Sequence, residues 1–136
     1  MIRFAARGHV DYKRAMRAVK RAEIRSLTHA AAAIRLYAAK SIRQSPRNRP
    51  SAPGTPPHTR RGLLPRSILY ALLEERGSPV AIVGPSFNLV GLAGKAHEFG
   101  DVFRGNDYPA RPYMGPALDV ISNRLPHFFA SSIRET

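Results

Sequence analysis

Between Asp11 and Ser45, apolar positions recur at helical spacing: Tyr12, Met16 and Val19, then Leu27, Ala31, Ile34, Ala38 and Ile42. No glycine or proline interrupts until Pro46, and Asp11 suits an N-cap, so the pattern predicts one long helix over Asp11–Ser45. At 1.5 Å per residue such a helix spans about 50 Å, so it either breaks or packs partly on another subunit. Pro46 to Leu64 then holds five of the chain's twelve prolines and two of its ten glycines, which predicts a stiff extended loop. Two apolar runs follow, Ile68–Leu73 and Val80–Val83, around "ERGSP"; they predict a β-hairpin over Ser67–Gly84 turning near Gly77-Ser78, although Leu and Ala in the first run also suit a short helix. Pro85–Gly100 reads as a loop entering a short helix or strand that stops at Gly100, and Asp101–Pro112 as a turn-rich loop. Tyr113–Glu135 carries a second helical stripe, Ala117, Leu118, Ile121, Leu125, Phe128, Phe129 and Ile133. Pro116 fits its first turn, and Pro126 should kink or divide it. This order predicts a single α+β domain over 1–136: long N-terminal helix, Pro-rich loop 46–64, small antiparallel sheet, C-terminal helix.

Composition narrows the function. A 136-residue chain that is 43% hydrophobic can bury a core. Absent cysteine excludes disulfides, zinc–thiolate sites and thiol nucleophiles, and fits a cytosolic or intravirion protein. No apolar run approaches the roughly 20 residues of a membrane span, and no secretory signal is read. The net charge of +13 is uneven: residues 1–49 hold 13 basic and 2 acidic side chains, residues 50–136 hold 9 and 7. A basic N-terminal third attracts nucleic acid, an anionic membrane or an acidic protein face.

Catalytic constellations are missing. "GLAGKAHEFG" fails as a phosphate loop, because Leu89 stands where its first glycine belongs and Ala96 where its hydroxyl belongs. None of the five histidines, His9, His29, His58, His97 and His127, pairs with another at i, i+4, and no G-x-S-x-G elbow occurs. The expectation is a protein without catalytic, cofactor or metal residues. No helix-turn-helix spacing is visible, so DNA contact through the basic helix would be backbone binding.

Three stretches are similar to a family of small neck and tail proteins of tailed bacteriophages. "PSAPGTPPHTRRGLLPRSI" matches its Pro-rich motif at Pro50, Ser51, Ala52, Pro53, Gly54, Pro56, Pro57, Gly62, Leu63, Ser67 and Ile68. Arg61 replaces the threonine usual before the glycine. Glu98, Phe99 and Gly100 match an "E-F-G" triplet, and Pro109, Ala110, Arg111, Pro112, Tyr113, Pro116, Ala117 and Leu118 match the motif that opens the last helix. The resemblance implies a tail-completion, tail-terminator or head–tail joining protein, made in the host bacterial cytoplasm and built into the virion. Such proteins form a ring, commonly sixfold, around the DNA channel, with neighbouring connector and tail-tube proteins as partners.

On that resemblance, the subunit interface is expected at Pro50, Pro53, Pro56, Pro57, Arg60, Arg61, Gly62, Glu98, Phe99, Arg111 and Tyr113. Pro46–Leu64 would be an intersubunit arm, since a proline-stiffened loop loses little entropy on docking. Arg111 could pair with Glu98 or Asp101, or lie on the surface. Arg14, Arg17, Lys20, Arg21 and Arg25 would form a basic surface facing an acidic neighbouring ring, with only passing contact to DNA. The alternative is a nucleic-acid-binding module using the same helix.

Overall fold

The computed structural model describes residues 11–130 and Ser132. Asp11 caps the first helix as expected: its carboxylate accepts from Arg14 N at 3.0 Å, and α1 runs Tyr12–Ser41, about 45 Å. It stops four residues before the expected end. Ile42 is already extended, and the chain leaves the helix there. Arg43–Gln44 (β1) then pairs in parallel with His58–Thr59 (β2), a partner no local pattern signals.

Leu63–Ser67 (α2) leads into the hairpin, Ile68–Glu75 (β3) and Ser78–Pro85 (β4). Eight antiparallel pairs run from Ile68↔Pro85 to Glu75↔Ser78. The turn is Arg76-Gly77, with φ of 50° and 82°, the two positive values a type I′ turn demands. The face holding Ile68 and Glu74 lies on α1: Ile68 is fully buried, Arg35 Nε donates to Ile68 O at 2.8 Å, and Lys20 Nζ meets Glu74 Oε2 at 3.1 Å. The other face, with Leu69, Leu73 and Ile82, is exposed.

Phe87–Val90 (α3) and Ala93–Phe99 (α4) follow, and Gly100 ends α4. A side chain at Gly100 would meet Tyr108 O at 3.0 Å and Ala110 N at 3.1 Å, and its φ of +76° favours glycine. The expected loop beyond it contains a second hairpin, Asp101–Phe103 (β5) and Asn106–Tyr108 (β6). It turns at Arg104-Gly105, again with both φ positive. The last helix divides as Pro126 required, into Met114–Ser122 (α5) and Leu125–Ala130 (α6), with Pro116 in the first turn of α5. Ile133 lies outside the described residues. The fold is α+β, with three two-stranded sheets among the described residues, all except β1–β2 antiparallel.

The core is small. Ala38, Ile42, Leu64, Ile68, Tyr113 and Ala117 form its centre, and alanines at 30, 31 and 38 let the neighbouring elements approach α1 closely. Tyr12, Met16 and Val19, expected on the core stripe, are exposed because α1 overhangs the hairpin whose tip it meets at Lys20.

Candidate functional site

Three segments far apart in sequence meet at the N-terminus of α5. The Glu98 carboxylate accepts three backbone N–H groups, from Tyr113 (2.8 Å) and Met114 (2.9 Å) on Oε2 and from Gly115 (2.8 Å) on Oε1. These are the orphan donors of a helix start, and an anion there also complements the helix dipole. Pro109 and Pro112 fix the lead-in, and Arg111 N donates to His97 O at 2.6 Å. Gly54 N donates to Ala110 O at 2.8 Å, and Arg111 Nε donates to Ser51 O at 2.9 Å. The Pro-rich loop, the Glu98 triplet and the Arg111 lead-in therefore form one hydrogen-bonded knot.

One reading of that knot needs correction. Among the described residues Arg111 meets no carboxylate; its guanidinium donates to carbonyls, Ser51 O of the Pro-rich loop at 2.9 Å and Pro109 O at 3.5 Å. The Pro-rich loop, expected as an intersubunit arm, is also bonded to its own chain. Ser45 N bonds Thr59 O, His58 Nδ1 meets Arg49 O, Arg60 Nε donates to Asn48 Oδ1, and Ser51 and Pro57 are buried. Its backbone is tied down within its own chain, so deleting Ser51–Pro57 would remove internal packing.

The expected interface residues separate accordingly. Tyr113 and Pro57 are core side chains; Pro56, Gly62, Glu98 and Arg111 are half-buried; Pro50, Pro53, Arg60, Arg61 and Phe99 are exposed. Burial, and next the Glu98 charge, push the Tyr113 hydroxyl up to about 12, so it stays protonated and donates to Gly94 O at 3.2 Å. Burial, and next the Arg111 charge, lower the pKa of His97.

An apolar groove of about 560 Å³ opens between the β3–β4 hairpin, α4 and α5. The β5–β6 hairpin was missed in the sequence; its signal was Arg104-Gly105, the same dipeptide that turns the first hairpin. On α1, Arg14, Arg17, Lys20, Arg21 and Arg25 are all exposed. Lys20–Glu74 is the single ion pair among the described residues, so the four arginines carry their charge outward. Among the described residues no three histidine, aspartate or glutamate side chains gather as a metal site, and no helix is long and apolar enough to cross a membrane. Compared with protein-family models, curated proteins and solved structures, the chain matches none.

Proposed function

We propose that this chain is a structural, non-catalytic subunit of a ring at the neck or top of the tail of a tailed bacteriophage. The observation that carries the reading is the uncovered apolar surface. Leu69, Leu73 and Ile82 on the first hairpin, Phe99 at the end of α4, and Val102 and Phe103 on the second hairpin are all exposed. Large apolar side chains left exposed on several elements suit surfaces that another chain covers. The Pro-rich loop, the Glu98 triplet and the Arg111 lead-in, which carry the resemblance to neck and tail proteins, also pack against one another. Their proline and glycine positions thus have a structural use in common.

A second reading rests on the outward arginine stripe of α1, which suits a phosphate backbone. Sedimentation and electron microscopy of the purified protein, with antibody labelling of virus particles, test the first. Rings in solution, or label at the head–tail junction, are expected. A protein that stays monomeric at all concentrations and is missing from particles refutes it. Duplex DNA shifted at moderate salt, with the shift lost on neutralising Arg14, Arg17 and Arg21, would then favour the second.

A further inference from the structure

Helix α4 separates two unlike surfaces. Gly94, Lys95, Glu98 and Phe99 face the groove, whose other walls are Val83, Pro85, Met114 and Leu118. Leu92, Ala93, Ala96 and His97 face the β5–β6 hairpin, a spur on which every residue from Asp101 to Tyr108 is exposed. At 3.6 residues per turn these two sets are centred on opposite sides of the helix. An isolated two-stranded hairpin is marginally stable in water, yet this one carries Val102 at 64% and Phe103 at 57% exposure.

We infer that the spur of one copy seats in the groove of the next. Charge favours a second copy as the occupant. In a chain of net charge +13 the spur is locally acidic, with Asp101 and Asp107 against Arg104. Lys95, exposed at the groove rim, has no carboxylate within ion-pair distance among the described residues. The groove itself is mainly apolar, and Glu98 within it is compensated by its three N–H donors. Its volume of about 560 Å³ falls in the range of sites that enclose bulky apolar groups.

The placement also sets the symmetry. A two-fold pair would need spur and groove on one face, so that each copy fills the other. Here they lie on opposite sides of α4, so each contact is head-to-tail and repeats until it closes. This inference rests on the ring reading and supplies its contact.

The chain has no cysteine, so a disulfide between introduced pairs reports this contact alone. Both chosen positions, Val102 on the spur beside Phe103 and Leu118 on the groove wall, are exposed, which keeps the risk to folding low. Mild oxidation of a mixture of Val102→Cys and Leu118→Cys proteins should give dimers far above those of either variant alone. The double variant should give a ladder ending at the copy number of the ring. In parallel, Phe103→Ser should weaken self-association at least tenfold, as loss of a central aromatic anchor does. Oligomers that persist by sedimentation without the cross-link and unmoved by Phe103→Ser overturn the inference and leave the ring reading standing. Protein that remains monomeric throughout overturns both.

Discussion

Replacing Glu98 with alanine removes the acceptor of three N–H groups at the start of α5, at Tyr113, Met114 and Gly115. The site is half-buried, so water restores part of the loss. At about 1 kcal/mol for each bond, the low side for a charged acceptor, the cost is about 3 kcal/mol. Unfolding entropy of about 2.1 cal/mol/K per residue converts that into a fall in Tm of about 10 °C for this chain. Glu98→Gln keeps one oxygen but turns an amide N–H toward a backbone donor, so about half that fall is expected. Thermal melts by circular dichroism measure both, and hydrogen exchange at the amides of Tyr113, Met114 and Gly115 localises the effect. A fall below about 3 °C for the alanine variant, or unchanged exchange at those amides, would refute the cap as a stabilising element.

The other expectations are separable from that one. Gly94→Ala places a Cβ 2.5 Å from Pro85 Cγ and 3.2 Å from Tyr113 Oη. The overpacking cost of about 1–3 kcal/mol should outweigh the roughly 1 kcal/mol of helix propensity gained, and chemical denaturation will show whether the variant is less stable. Arg111→Ala frees Ser51 O and loosens the Pro-rich loop, so tryptic cleavage after Arg47 and Arg60 should speed up while far-UV circular dichroism stays unchanged. His97 has a lowered pKa in the fold, so the unfolded chain binds the proton more readily. Its contribution is complete above the ordinary value of about 6.5 and is lost as pH falls below that. Tm followed from about pH 7.5 to about pH 5 should fall less steeply in His97→Gln than in the parent, and equal slopes would exclude His97 as the source.

Proline positions were informative in the sequence for different reasons at different sites. Pro126 divided the last helix because a missing N–H and a ring clash act within one turn. The Pro46–Leu64 run signalled a loop, but its prolines did not say where the loop goes. It returns to its own chain through Gly54 and Ser51, and that choice depends on Ala110 and Arg111, more than fifty positions away. Arg111 itself was legible as a fixed, useful cation. Its partner was not, because a backbone carbonyl sixty positions away, Ser51 O, leaves no mark in the sequence around Arg111.

What the sequence by itself determined is what neighbours within a few residues decide. The Asp11 cap, the long α1, the turn of the first hairpin, the stop at Gly100 and the break near Pro126 all follow from bonds and torsions spanning at most about four residues. Tertiary structure alone decided the end of α1, where Arg43–Gln44 leaves the helix to pair with His58–Thr59. It also brought Glu98 to the start of α5 and left the first turns of α1 without cover. Those outcomes turn on which distant groups reach an unpaired donor or an apolar face first. A backbone N–H must find an acceptor, yet nothing in its own segment says which one.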